Sequence, residues 1–213
     1  RGNGDWVAPP IIVELIEENG WRTLFTDWLI RAALRQCAAL DAAGVNISLS
    51  LNLTAGDLLD PDLPELVAQC LETWRIPAGR FTFELTESAM MGDRELGLSV
   101  MKKLRELGLR LALDDFGTGY SSLSYLATLP INEIKIDRSF VINMSASAEG
   151  LRIVRAIIDL THDLGMCSLA EGVESIEQRD QLLALGCQDA QGYLYGKPMP
   201  RDEFITWYFA RSA

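Results

Sequence analysis

The sequence predicts an α/β domain in which strand–helix units repeat around a parallel sheet that closes toward a barrel. Three observations lead there. Short β-branched or apolar runs alternate with longer stretches of helical period. Gly108, Gly165 and Gly186 each follow a helical stretch, where a left-handed C-terminal residue is favoured. Six successive strands each deliver a charged or amide side chain at the same end. Repeated units of this kind in one domain imply a parallel sheet, either open or closed.

Taken in order, the first long helix is expected over Leu24–Ala43, where Phe25, Leu29, Ala32, Ala33, Gln36, Cys37 and Leu40 recur at three-and-four spacing. A strand follows at Ile47–Asn52, a helix at Pro64–Trp74 and a second strand at Phe81–Leu85. The helix Arg94–Leu107 leads through Gly108 into the strand Leu109–Asp114, and Glu133–Ile136 is the fourth strand. The helix Leu151–Leu164, strand Cys167–Ala170, helix Ile176–Leu185 and strand Asp189–Gln191 complete the series. Asn52, Glu84, Asp114 with Asp115, Lys135, Glu171 and Gln191 end these strands or follow them directly. In a closed barrel such ends converge on one mouth, whereas an open sheet gathers its ligand residues at one switch point. The spread over all six strands favours the barrel, two strands short of eight.

With 213 residues the chain fits one domain able to bury a full core. Its 48% apolar content marks a globular protein. A net charge of −11 argues against nonspecific binding to DNA, RNA or anionic membranes, because no basic field attracts phosphates. A phosphorylated ligand still fits if cations neutralise it locally. No apolar run reaches membrane-spanning length and no signal peptide opens the chain, so a cytoplasmic location is expected, free or as part of a larger membrane-anchored protein. Cys37, Cys70, Cys167 and Cys187 are widely spaced in apolar patterns and read as reduced core residues.

The most informative stretch is Asp114-Asp115-Phe116-Gly117-Thr118-Gly119-Tyr120, directly after Leu111-Ala112-Leu113. Adjacent carboxylates at a buried strand end raise each other's pKa unless a positive charge sits between them. A divalent cation meets that need, and Gly117 and Gly119 let the loop turn. A turn or a helix-capping Asp pair is the plainer alternative. The collected ligand types are Asn, Glu and Asp, hard oxygen donors that suit Mg²⁺ or Mn²⁺ over Zn²⁺. The single histidine, His162, is expected in mid-helix, away from any strand end. Lys135, between Ile134 and Ile136, is expected at a buried edge where its pKa falls and a base becomes available. Carboxylates holding two cations beside a lysine suit metal-assisted phosphodiester hydrolysis. Spacing alone fits equally a one-metal lyase or racemase in which lysine removes a proton.

Asn52-Leu53-Thr54, Glu84-Leu85-Thr86-Glu87-Ser88, the Asp114–Leu123 run DDFGTGYSSL, Lys135-Ile136-Asp137-Arg138-Ser139-Phe140, Ala170-Glu171-Gly172-Val173-Glu174 and Gln191-Gly192-Tyr193 stand in order along the chain. Together they resemble the EAL domain, the bacterial phosphodiesterase domain of the second messenger cyclic di-GMP. The resemblance spans nearly the whole chain and implies a TIM-like (β/α)8 barrel of the EAL type. It implies cleavage of cyclic di-GMP to linear pGpG by a two-metal Mg²⁺ or Mn²⁺ site. Asn52, Glu84, Asp114, Asp115 and Glu171 would then be metal ligands, with Asp114 bridging. Lys135 would hold or deprotonate the attacking water, Glu87 would anchor the loop after Asp115, and Gln191 would lie near the water. Arg1, Asp137, Arg138 and Glu174 would contact substrate.

The sequence departs from the family pattern in two respects. The Glu-Ala-Leu tripeptide and the strand that normally precedes it are absent, so the single domain 1–213 is expected to lack the barrel's first two strands. The helix Ile11–Glu18 then sits just past the tripeptide position. Thr54 replaces the commoner serine and keeps the hydroxyl. The resemblance also implies sensor partners such as GGDEF or PAS domains on the same polypeptide, and a homodimer formed around Ser121–Leu126. Three functions follow: an active phosphodiesterase, a catalytically inactive cyclic di-GMP receptor, or an enolase-like metal enzyme. The first is the leading expectation, because every visible catalytic position carries the expected residue.

Overall fold

The computed structural model describes residues 9–87, 89, 93–117 and 126–212. Its elements in chain order are α1 (Pro9–Glu18), α2 (Arg22–Ala42), β1 (Leu49–Leu53), α3 (Ala55–Leu58), α4 (Leu63–Trp74), a 3-10 turn (Ala78–Arg80) and β2 (Phe81–Thr86). Then come α5 (Arg94–Glu106), β3 (Arg110–Phe116), β4 (Glu133–Ile136), α6 (Arg138–Ala146), α7 (Ala148–Asp163), β5 (Cys167–Ala170), α8 (Ile176–Ala184), β6 (Asp189–Ala190) and α9 (Arg201–Ser212).

All six strands are parallel and lie side by side in chain order, β1 to β6. A doubly wound sheet reverses its order at a switch point. Here every crossover instead steps one strand in the same direction, as barrel winding requires. Alternation along each strand separates two faces. Phe81, Phe83, Leu85, Leu111, Leu113, Ile134, Ile136 and Ala170 are buried in the core that also takes residues of the surrounding helices. The alternate positions, among them Asn52, Glu84, Asp114 and Lys135, line the inner face.

The helices end as their sequences direct: Gly108, Gly165 and Gly186 adopt φ of +91°, +70° and +85°. Asp93 and Ser147 cap the N-termini of α5 and α7, and Ser175 with Gln178 forms a capping box at α8. Cys37, Cys70 and Cys187 are buried free thiols, and Cys167 is a half-buried one.

Several expectations shift. The first strand begins two residues later and ends one later than the spacing predicts, and Asn52 sits within it, one residue before the end. The third continues through Asp114 and Asp115 to Phe116. Three helices, the short α3, α6 and α9, lie in segments where no helix is expected, and His162 stands in the last turn of α7 rather than in mid-helix. No helix among the described residues is long and apolar enough to cross a membrane.

Candidate active site

The polar strand ends meet at Lys135. Its side chain, 3% exposed, projects from β4 among three carboxylates on three other segments. Nζ lies 2.6 Å from Glu84 Oε2 on β2, 3.0 Å from Asp114 Oδ1 on β3 and 2.7 Å from Glu171 Oε1 just beyond β5. Gln191, following β6, donates from Nε2 to the same Glu171 oxygen at 2.6 Å. Sequence-distant residues therefore share one small volume because parallel strands all end on the same side of the sheet.

Asp115 reaches this volume by a break in the strand. Simple alternation would send Asp114 and Asp115 to opposite faces. The β3–β4 register shifts between Leu113 and Phe116, and Asp115 adopts φ +54°. Such bulges re-aim side chains, and Asp tolerates the left-handed region better than most residues. As a result one carboxylate oxygen from each of Asp114, Asp115 and Glu171 lies within 4.8 Å of the others. Asp115 N–H also donates to Asp114 Oδ1 at 3.0 Å.

The charges respond to this crowding. Burial first, then Asp114 and Asp137, push the Asp115 carboxyl above its ordinary pKa. Burial raises Glu171 as well, against the opposing hydrogen bond from Lys135. For Lys135, burial alone would lower the ammonium, but the hydrogen bonds to Glu171 and Glu84 more than offset it, and the pKa stands above the ordinary lysine value. This corrects the expectation of a lowered, basic lysine: Lys135 holds its proton, because three anions surround it.

The remaining expected residues divide. Asn52 stands in register opposite Glu84 on β1, but no described contact joins it to the Lys135 group. Glu87 is buried, and neither of its carboxylate oxygens has a hydrogen-bond partner among the described residues. Part of the loop it was expected to anchor, with Thr118, Gly119 and Tyr120, lies outside the described residues, as do Arg1 and all of the Ser121–Leu126 segment except Leu126. Asp137 caps α6, accepting from the Ser139 backbone N–H at 3.0 Å. Arg138 and Glu174 form an exposed ion pair at 2.7 Å. They edge a cavity of about 510 Å³ that opens beside Glu171 and Gln191. Gly172 has φ +66°, and a Cβ there would collide with the Arg138 side chain, so glycine is what lets Arg138 lie across this wall.

Lys197, Met199 and Phe204 also line the cavity and were not singled out from sequence. Of these only Phe204 belongs to α9, where it stacks on Trp207 with centroids 5.6 Å apart.

A deeper pair sits two residues below Lys135 on the same strand face. Glu133 is 7% exposed, and Arg110 Nη2 donates to its Oε2 at 3.2 Å. Burial raises the Glu133 carboxyl, with Arg110 opposing.

Residues 1–198 match the EAL domain family. The chain belongs to that family. Among proteins similar to this EAL domain are the cyclic di-GMP phosphodiesterase PA2567 of Pseudomonas aeruginosa, 35% identical over 95% of the chain and 34% of the relative. Cyclic di-GMP phosphodiesterase PdeR of Escherichia coli is 37% identical over 95% of the chain and 31% of its own length. Among solved structures, the PaMucR phosphodiesterase in complex with c-di-GMP superposes with a TM-score of 0.87 at 33% identity, covering 96% of this chain and 83% of that one. The EAL domain of Mycobacterium smegmatis DcpA gives 0.81 at 38% identity, covering 86% of this chain and 83% of that one. These neighbours make the sheet part of a TIM-like EAL barrel. The chain spans only about a third or less of the length of the curated relatives it matches.

Proposed function

We propose that this EAL domain hydrolyses cyclic di-GMP to linear pGpG with two divalent cations, Mg²⁺ or Mn²⁺. The observation that carries the reading is the convergence of Asp114, Asp115 and Glu171 within 4.8 Å. The donor set is all oxygen, as a hard cation prefers, and one ammonium leaves these carboxylates short of positive charge. Asn52, Glu84, Asp114, Asp115 and Glu171 would hold the ions, which when bound neutralise phosphate charge and lower the pKa of a water.

The chain's own residues supply the rest. Lys135 stays protonated and acts as a fixed donor: it orients the surrounding carboxylates and the attacking water rather than taking its proton. Gln191 fixes the Glu171 carboxylate through its 2.6 Å hydrogen bond. Glu87 anchors the loop that follows Asp115. Arg1, Asp137, Arg138 and Glu174 bind the dinucleotide, with the cavity beside Glu171 taking part of it. The names of the relatives support cyclic di-GMP as the ligand. Their greater length leaves room for sensor domains on the same polypeptide, and the family resemblance implies a homodimer as the working assembly.

The test is incubation of the protein with cyclic di-GMP and each metal in turn, with products separated by chromatography. Mg²⁺ or Mn²⁺ should yield pGpG, and chelation should stop it. Ca²⁺ should bind with little turnover, since its larger, looser shell places water poorly. Turnover with Ca²⁺ alone, or after chelation, would sink the two-metal reading. Binding without cleavage in every metal would replace the enzyme with a receptor.

A further inference from the structure

Asp57 is a buried carboxylate outside the cluster around Lys135, 5% exposed and with more partners than a helix cap requires. Its Oδ2 accepts from the Thr54 backbone N–H at 2.8 Å and from the Thr54 hydroxyl at 2.7 Å. The capping box of α3 accounts for the first of these bonds, and the second joins the same two residues. It does not account for α2. Thr26 Oγ1, 31 positions earlier, donates to Asp57 Oδ1 at 2.7 Å in the interior. Arg22 Nε stands 4.0 Å from the same oxygen. The Arg22 guanidinium lies directly over α3, where any side chain at position 56 would collide with it; Gly56 leaves the space.

The place of this staple gives it meaning. Among the described residues β1 is an edge strand, paired only with β2. Register fixes Asn52 on one side, opposite Glu84. On its other side, among the described residues, the end of the run Asn52-Leu53-Thr54 is held to α2 through the Asp57–Thr26 bond. By tying Thr54 to Thr26, Asp57 fixes the chain two residues past Asn52 to a helix. A cavity of about 30 Å³ bordered by Asn52, Thr54, Asp57 and Arg22 places the staple beside the Asn52 side chain.

We infer that Asp57 is a positioning residue: through Thr54 and Thr26 it sets where Asn52 presents its amide at the divalent-cation site. The inference rests on the proposed function, in which Asn52 supplies one of the oxygen donors. Residues that orient ligands in this way typically change metal affinity by about 10–100-fold when removed.

The experiment measures Mn²⁺ affinity of the 213-residue chain by the paramagnetic resonance signal of free Mn²⁺, without cyclic di-GMP, alongside melting temperature. Asn52→Ala is the reference variant. Asp57→Asn keeps the volume but loses the charge, and Thr26→Val removes one bond while leaving the α3 cap intact. Asp57→Asn should weaken Mn²⁺ binding about tenfold, and Thr26→Val by a smaller factor. Added to Asn52→Ala, either change should cost little more, because both act through Asn52. Wild-type affinity in both variants with only a lower melting temperature, or fully additive losses in the doubles, overturns the positioning role. If Asn52→Ala still weakens binding in that case, the proposed function stands. Wild-type affinity in Asn52→Ala removes Asn52 from the ligand set and overturns the inference with it.

Discussion

At the mouth of the barrel Lys135 faces Glu84, Asp114 and Glu171, with Asp115 alongside. Two residues below, Glu133 pairs with one cation, Arg110, while Asp189 and Glu84 act against its charge at longer range. Both layers bury carboxylates against a cation on the same inner surface, yet one is balanced and the other is not. A matched buried pair roughly repays its own desolvation. Surplus carboxylates cannot, and each must hold a proton or find another cation. The contrast separates the layer that fills the barrel from the layer that is built to take up charge.

The largest effects should come from unbalancing the upper layer further. Lys135→Ala should lower the catalytic constant by about 10²-fold or more while leaving cyclic di-GMP binding within roughly tenfold, the pattern of a group used mainly in the transition state. Asp114→Asn should impair metal binding and turnover together. Equal, small effects of the two changes, measured by steady-state kinetics and calorimetry, would erase the distinction between the layers.

A smaller effect appears in the pH dependence of stability. Glu171 and Asp115 are both raised, chiefly by burial. A carboxyl with a folded pKa above its unfolded value binds more protons when folded. It therefore adds stability at low pH and loses that contribution as pH rises from the unfolded value through the folded one. Lys135 is raised too, so its stabilisation is complete below the ordinary lysine value and fades only in strong alkali. Metal-free protein should thus lose stability relative to Glu171→Gln as pH climbs through and just above the ordinary glutamate range. Mg²⁺ should flatten this loss in the wild type by favouring the ionised carboxylate. Thermal melts across that range that show no such slope, or the opposite one, would contradict the charge surplus.

The smallest effect belongs to the lower layer. Arg110 is 40% exposed along its side chain, and partly solvated pairs contribute about 1 kcal/mol or less. Glu133→Gln, which keeps the shape and removes a charge already disfavoured by burial, should change stability by no more than about that amount and leave kinetics unaltered. A large kinetic loss would mean that the lower layer feeds the site.

Much of this was legible in the residues. Buried parallel strands read as short apolar runs, and their C-terminal polar residues announced the mouth, so Glu84, Asp114, Lys135, Glu171 and Gln191 were found in place. The state of Lys135 was not legible. Isoleucines on either side report burial, which argues for a lowered pKa, while Glu84 and Glu171, whose hydrogen bonds reverse the sign, come from 51 and 36 positions away. The convergence of Asp114 and Asp115 was expected, but the means was hidden: a left-handed residue inside a strand leaves no compositional mark when that residue is Asp. Helix α6 was missed although Asp137 is a strong cap and Phe140, Val141 and Met144 recur at helical spacing. Asp57 was not singled out, because its partner Thr26 lies 31 positions away in sequence.

The chain-order pairing of β1 to β6 also fixes a timetable. Each strand needs only its predecessor as a template, so the sheet can lengthen as the polypeptide leaves the ribosome. The acids of β2 and β3 arrive first, Lys135 follows on β4, and Glu171 comes last. At roughly 5–20 residues per second, the 51 positions from Glu84 to Lys135 occupy about 3–10 s of synthesis. Glu84 waits through the whole of that interval, and Asp114 and Asp115 through its last 21 and 20 positions, without their lysine. The nascent sheet therefore carries these acids of the site before it carries the ammonium that draws them together.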